Sequence, residues 1–277
     1  MQNISCNLCG RSDAKLLFTA KDINYKTTDE TFSVVQCGAC GFVYINPQPE
    51  QSELTAFYPD TYRPYRDKTT IAYRAPESPS KYILDIGSGP GSFLAELHEK
   101  DPSIALFGVD FDKRAVETGR LRGFPIFHGS LLEARYAAAF FDEAHMSHLL
   151  EHVLSPLETL QETARILKPG GKLIITIPNF ASFSRMLFGK YWYHLDAPRH
   201  LYHFTPRTLG TMLEKAGFLY ISFGFIPSPK YFLQSYAFWK YGGKRKFSKL
   251  TWHFLTLPAK AASFLKLSST MKVIAEK

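Results

Sequence analysis

The sequence predicts an α/β fold, a mostly parallel Rossmann-like sheet with helices on both faces and a small cysteine-bearing module in front. Two observations predict it. From Lys81 onward, short apolar runs alternate with segments whose apolar residues recur at helical spacing. That βαβα order buries a parallel sheet between two helical layers. The second observation is that all four cysteines of the 277-residue chain lie within its first 40 residues, as two C-x-x-C pairs. Composition agrees, since 45% hydrophobic and 21% charged residues supply a core and exclude a wholly disordered chain. Four cysteines are too few for a disulfide-stapled miniprotein of this length.

The elements follow in order. Cys6-Asn-Leu-Cys9-Gly10 and Cys37-Gly-Ala-Cys40-Gly41 are separated by 27 residues. Each pair reads as a knuckle that aims two thiolates at one point, with the following glycine permitting the tight turn. Four thiolates with no open position point to a structural rather than catalytic Zn2+ on Cys6, Cys9, Cys37 and Cys40. Thr31–Gln36 and Phe42–Ile45 read as strands entering and leaving the second knuckle, so residues 1–46 are expected to form a zinc ribbon. Asn46-Pro-Gln-Pro49 ends it. A helical and Tyr-rich linker is expected over 47–79, with a short helix from Glu50 to Tyr58.

Residues 80–277 are expected to form the main domain. Strands are predicted at 82–86, 106–110, 125–128, 141–147, 172–177, 218–225 and 271–275, which makes a seven-stranded sheet. Helices are predicted at 92–98, 114–122, 156–167 and 208–216, the last one stopped by Gly217. No run of about 18 uncharged apolar residues is visible. The start, MQNISCNLCG, lacks the basic and apolar stretches of a signal peptide, so a cytoplasmic protein is expected.

Charge is unevenly placed. Residues 228–277 hold ten Lys/Arg against one acid, Glu276, while residues 1–227 hold 23 Lys/Arg against 24 acids. The same tail holds ten aromatics, Trp239 and Trp252 among them. A basic aromatic helical insertion is therefore expected at about 228–268. It is either a solvated, packed insertion or a peripheral contact at the inner face of a membrane.

The turn after the first main-domain strand reads Asp85-Ile-Gly87-Ser88-Gly89-Pro-Gly91. Its sixth position counted from Gly87 is Ser92, so the dinucleotide fingerprint G-x-G-x-x-G fails. An acid two residues before the first glycine suits a ligand with a cationic amino group and no diphosphate. Asp110, at the end of the second strand, is placed to accept both hydroxyls of a ribose. Phe111 can lie against a purine.

These residues, with Leu167-Lys-Pro-Gly-Gly171, resemble the motifs of class I S-adenosylmethionine-dependent methyltransferases. Phe141–His152, Pro178-Asn179 and Pro198–Thr205 are similar to a bacterial subgroup with an N-terminal zinc ribbon that works in cell-surface polysaccharide and natural-product pathways. The resemblance covers residues 80–225 and, in outline, the ribbon. It implies S-adenosyl-L-methionine as cofactor. Gly87, Ser88, Gly89 and Gly91 would pass under its methionine part, Asp85 would meet its amino group, Asp110 would hold the ribose, and Ser130 and Leu131 would border the adenine, with Phe111 and Ser147 nearby. Many relatives carry Asp where this chain has Ser130.

His148, Glu151 and His152 follow the fourth main-domain strand and can share one face of a helical turn. His200 and His203 come later, in Pro-Arg-His-Leu-Tyr-His-Phe. In one reading a histidine is the general base that takes a proton from an acceptor hydroxyl. In a second, His148, Glu151 and His152 with His200 or His203 hold a second divalent metal, an arrangement similar to the E-x-x-E-H…H site of metal-dependent RNA methyltransferases. In a third, the histidines are structural. Tyr58, Tyr62, Tyr65 and Tyr191-Trp192-Tyr193 are candidate lid residues, and His194 and Asp196 are weaker candidates for the site. The expected function is O-methylation of a small or carrier-linked hydroxylated acceptor such as a sugar. RNA methylation and a non-catalytic adapter are the alternatives. Nucleic acid is disfavoured, because the body of the protein is not basic.

Overall fold

The chain opens with three antiparallel strands, β1 (Ala14–Lys21), β2 (Thr31–Cys37) and β3 (Val43–Ile45). A short helix α1 (Gln51–Leu54) and a single 3-10 turn follow. The alternating part then runs β4 (Lys81–Ile86), α2 (Ser92–Lys100), β5 (Ile104–Asp110), α3 (Lys113–Leu121), β6 (Ile126–His128), α4 (Leu131–Ala134), β7 (Phe141–Ser147), α5 (Pro156–Ile166) and β8 (Leu167–Pro178). After it come α6 (Phe183–Phe188), β9 (Tyr202–His203), α7 (Pro206–Lys215), β10 (Leu219–Ile226), α8 (Pro229–Tyr241) and β11 (Thr270–Glu276). The computed structural model describes residues 1–59, 62, 71–248, 251, 254 and 260–277. Tyr65, Trp252 and parts of the expected linker and basic insertion lie outside the described residues.

The seven expected strands form one sheet in the order β10-β11-β8-β7-β4-β5-β6. The pairs β4–β5, β5–β6, β4–β7 and β7–β8 are parallel, and β11 runs antiparallel between β8 and β10. The central strands are apolar because both faces are covered: Ile83, Leu84 and Ile86 of β4 and Leu106 and Val109 of β5 are all buried. Helix α5 begins with proline in its first turn and buries Leu160, Ala164 and Ile166. From β4 the chain moves one way to β5 and β6, then returns to the other side for β7 and β8. This reversal opens a crevice beyond the carboxyl ends of β4, β5 and β7.

One pairing is absent from the local sequence pattern. Strand β9 joins the N-terminal sheet as its fourth strand, with Val43 opposite His203 and Tyr44 opposite Tyr202. The rings of Phe42 and Tyr202 stack at 5.6 Å, and the Tyr202 hydroxyl donates to the Leu154 carbonyl at 2.8 Å. Phe42, Tyr44 and Tyr202 belong to the same apolar cluster as Leu84, Leu160 and Ile175. The cysteine knuckle is fastened as well. Lys215 Nζ donates to the Leu8 carbonyl at 2.8 Å, and the Leu157 amide donates to Asn7 Oδ1 at 3.0 Å. The N-terminal sheet is thus packed into the wall of the main domain.

Candidate functional site: two adjoining cavities

The larger cavity, about 540 Å³, lies over the carboxyl ends of β4 and β5. Gly87, Asp110, Phe111, Ser130 and Leu131 line it, as do Tyr58 and His152. Gly87 has a φ of +78°, and a Cβ there would come within 2.9 Å of Leu149. The turn can therefore take this path only with glycine. Asp110 braces the turn: one oxygen accepts the Gly89 amide at 2.7 Å and the other accepts the Asp112 amide at 2.8 Å. Each oxygen keeps a lone pair for a hydroxyl donor. Burial raises the Asp110 carboxyl above its ordinary range despite those amides.

Asp85 lies buried in β4, paired in register with Gly108 of β5. Burial, and the charge of Asp110, push its carboxyl up to about 7. A carboxylate in that condition favours a nearby cation. Ser88 turns away from the cavity and fills the space beside Gly108, where a Cβ would meet its Oγ at 2.6 Å. Ser130 lines the cavity, but its Oγ is engaged in a capping box with Glu133. Ser147 is exposed at the end of β7. Asp85, Ser88, Gly89, Gly91 and Ser147 are not part of the cavity wall.

The smaller cavity, about 190 Å³, adjoins the first, and His152 lines both. His148, His194, Asp196 and His200 line it from one side, with Tyr25 and Tyr231 among the residues that complete it. The hydrogen bonds assign the imidazole tautomers. His200 Nδ1 lies 2.8 Å from the His194 carbonyl, and His152 Nδ1 lies 3.0 Å from the Arg199 carbonyl. A carbonyl only accepts, so each ring carries its proton on Nδ1 and, when neutral, a lone pair on Nε2. His152 Nδ1 also lies 2.9 Å from the Tyr58 hydroxyl. Burial, followed by the charge of His200, pulls His152 down to about 3, so it is neutral.

His148 adopts a left-handed φ of +52°, a conformation that non-glycine residues enter mainly under constraint. It is held there by its amide, which donates to the Thr176 carbonyl at 2.8 Å, and by its Nδ1, 3.1 Å from Glu151 Oε1. Glu151 is buried. Burial alone would raise its carboxyl, but the His148 hydrogen bond and the surrounding imidazoles hold it down to about 2. Its second oxygen, Oε2, is buried and has no hydrogen-bond partner among the described residues. Glu151, His152 and His200 each offer a ligand atom within 4.8 Å of the other two.

His203 does not join this group. It sits in β9, buried, with its ring stacked on Phe180 at 5.2 Å, and it lines neither cavity. Burial pulls it down to about 3.

Sequence reasoning missed the frame of the smaller cavity. Arg199 is fully buried and bonds two carboxylates, Asp22 at 2.5 Å and Asp196 at 2.8 Å. It also donates to the Phe57 carbonyl at 3.0 Å. Burial disfavours the guanidinium, but the two carboxylates more than offset it and raise its pKa. Asn24 donates to Asp196 at 2.7 Å. The loop between β1 and β2 thereby becomes one wall of the cavity. The sequence offered only a weak signal for this, an arginine three residues after an aspartate in a loop of aromatic and apolar residues.

The four cysteines also converge. Their Sγ atoms all lie within 4.8 Å of one another, and two pairs, Cys6–Cys40 and Cys9–Cys37, stand at 3.5 Å. Four sulfurs at about 2.3 Å from a tetrahedral ion would stand about 3.8 Å apart, so the cluster could hold a metal. Gly10 and Gly41 both take positive φ after their knuckles.

A family model described as a methyltransferase domain matches residues 60–222. The demethylmenaquinone methyltransferase of Corynebacterium kroppenstedtii is 31% identical over 102 residues, 37% of this chain and 44% of that protein. The ubiquinone/menaquinone biosynthesis C-methyltransferase of Geotalea daltonii is 26% identical over 139 residues, 46% of this chain and 53% of that protein. The chain thus spans about half the length of these curated relatives. The crystal structure of a SAM-dependent methyltransferase from Archaeoglobus fulgidus superposes with a TM-score of 0.51 at 21% identity, covering 71% of this chain and 86% of that one. That likeness shows the fold. The matched stretch includes the glycine turn and the histidines, and it leaves out Asp22, Asn24, Tyr25 and Tyr231.

Proposed function

We infer the acceptor from one premise: this chain belongs to the class I S-adenosylmethionine-dependent methyltransferase family. The larger cavity is then the cofactor site. Its fit rests on the Gly87 cradle and the two Asp110 oxygens; Asp85, buried and off the cavity wall, would meet the cofactor's cationic amino group through a water. The cofactor supplies an electrophilic methyl group. We assign the smaller cavity to the acceptor and propose O-methylation of a small hydroxylated molecule, a sugar being the favoured class. Tyr25 and Tyr231 offer aromatic walls suited to a ring face.

The observation that carries this reading is His148 on the wall of the smaller cavity, hydrogen-bonded to Glu151, which is buried off the wall. Glu151 stays ionised and accepts the Nδ1 proton of His148, which leaves the Nε2 lone pair available to the acceptor hydroxyl. As the acceptor oxygen takes the methyl group, the sulfur–methyl bond would break with its electron pair staying on sulfur, the demethylated thioether would leave, and the hydroxyl proton would pass to His148 Nε2. Buried, neutral His152 lies between the two cavities and helps keep water from the transfer path. The four cysteines hold a structural Zn2+ that fixes the sheet bearing β9 and, with it, the His200 loop.

His148→Gln tests the base. Turnover is expected to fall by about 10²–10⁴-fold while calorimetric cofactor binding is unchanged. Full turnover in that variant, or a methylated carbon or nitrogen in the product by NMR, rejects the reading. A chain that binds no S-adenosylmethionine would instead favour an adapter.

A second reading has one observation behind it. The partnerless Glu151 Oε2 and the Nε2 lone pairs of His152 and His200 suit a divalent transition metal. Of the expected ligands, Glu151, His152 and His200 come together, whereas His148 and His203 stand outside the group. Cobalt titration of zinc-loaded protein, wild type against His200→Gln, distinguishes the two readings: a metal-bound site gives an extra visible absorption band that the variant lacks.

A further inference from the structure

The sequence expectation of a basic tail concerned residues 228–268, but the surface that forms around it also draws on α6. Met186 and Leu187 of α6 are 59% and 56% exposed, Trp239 of α8 is 57% exposed, and Phe264 is 88% exposed. Phe183 and Leu265 are exposed as well. Three contacts bring the elements that carry these residues together. The Phe183 amide donates to the Leu267 carbonyl at 2.9 Å, the Phe183 ring stacks on Phe232 of α8 at 6.3 Å, and the Phe188 ring lies 6.5 Å from Trp239. Large apolar side chains grouped on a surface mark an interaction site rather than chance exposure.

The charged side chains that these segments carry have one sign. Lys190, Lys240, Arg245, Lys246, Lys260 and Lys266 are all exposed. Residues 183–195 and 228–275 contain no Asp or Glu. Aromatic and aliphatic side chains inside an acid-free basic rim complement an anionic lipid surface: the apolar groups enter the acyl boundary while the cations meet headgroups. A nucleic-acid backbone would leave the Met186, Leu187 and Phe264 side chains without an apolar partner. Among the described residues no helix is long and apolar enough to cross a membrane, so the contact would be peripheral.

We propose that α6, α8 and the 260–266 segment form one docking face for an anionic bilayer. Trp239 stands in the last turn of α8 and Tyr231, which lines the smaller cavity, in its first, on a helix about 20 Å long.

The full chain is to be floated with vesicles of phosphatidylcholine alone and of phosphatidylcholine with 30% phosphatidylglycerol, at low and high salt. Binding is expected only to the anionic vesicles, with at least a tenfold loss at high salt. The triple variant Met186→Ser/Leu187→Ser/Phe264→Ser is expected to lose it too while keeping its circular dichroism and cofactor affinity. A second variant, Lys240→Glu/Lys266→Glu, is expected to weaken binding without touching the apolar groups. No binding of wild type to anionic vesicles overturns the proposal, as does binding that the triple variant retains. A wild-type dimer that becomes a monomer in the triple variant, with no vesicle binding, assigns the face to a second copy of the chain and also overturns it.

Discussion

The two adjoining cavities are built in opposite ways. The larger one draws most of its wall from successive βα turns of one sheet: Gly87 after β4, Asp110 and Phe111 after β5, Ser130 after β6. The smaller one is assembled from segments far apart in the chain: Asn24 and Tyr25, His148 and His152, His194 to His200, and Tyr231. A shared ligand can be read by a local turn. A particular acceptor needs side chains from several directions, and long-range pairing must bring them together. The family match covers the βα turns of the first construction, though not Tyr58, and only part of the second. Relatives therefore inform the cofactor more than the acceptor.

The sharpest way to break this comparison is at Arg199. Arg199→Leu leaves Asp22 and Asp196 buried without their cation, a loss of about 3–5 kcal/mol. Chemical denaturation is expected to show that drop. In the surviving folded fraction, cofactor binding should persist while acceptor turnover is lost. Equal loss of both would mean that the two cavities are not separately built.

The next effect lies on the cofactor side and depends on pH. The Asp85 carboxyl titrates near 7 in the folded chain, well above the ordinary carboxylate range. A group raised by folding favours the native state when protonated, so its contribution is present at about pH 4 and is lost as pH rises toward 7. Full loss amounts to roughly 4 kcal/mol as an upper bound. A cationic amino group from the cofactor would restore it. Cofactor-induced thermal stabilisation is therefore expected to be larger at pH 8 than at pH 5.5. Asp85→Asn should flatten that dependence, stabilise the ligand-free protein at pH 8 and weaken cofactor binding. A pH-independent cofactor effect would detach Asp85 from the amino group.

The smallest expected change is Gly87→Ala. The positive φ and the 2.9 Å approach to Leu149 cost about 1–2 kcal/mol, which would appear as roughly a tenfold weaker cofactor in calorimetry. His148→Gln supplies the reciprocal case, with turnover lost and cofactor affinity kept.

The same contrast explains what the sequence disclosed. Strands β4 and β5 were legible because buried parallel strands are apolar on both faces, β11 because its buried residues alternate as in an antiparallel strand, and the glycine turn because a tight path excludes Cβ atoms. The two-residue strand β9 was not legible, since Tyr202 and His203 acquire strand geometry only by pairing with β3. Strand β1 was hidden for a different reason: it leaves Leu16 and Leu17 exposed, so no clear alternation marks it. Glu151 and the histidines stood out as residue types, but their roles came from geometry. His203 separated from the group because its backbone pairs with β3 of the N-terminal sheet, and Ser88 turned inward to fill the gap left by Gly108. Arg199 was overlooked because its partners, Asp22 and Asp196, lie 174 positions apart in the chain and meet only in the fold.

The splice of β9 into the N-terminal sheet has one more consequence. The segment that carries His200 is stitched at its far end to strands made by the opening residues of the chain, so a shift in the front module reshapes the opposite wall of the smaller cavity. Selection for a new acceptor can then act on the first few dozen residues while the methyl-donor machinery stays untouched. A graft of residues 1–46 between two relatives would carry substrate preference with it, much as a changed lock face leaves the bolt in place.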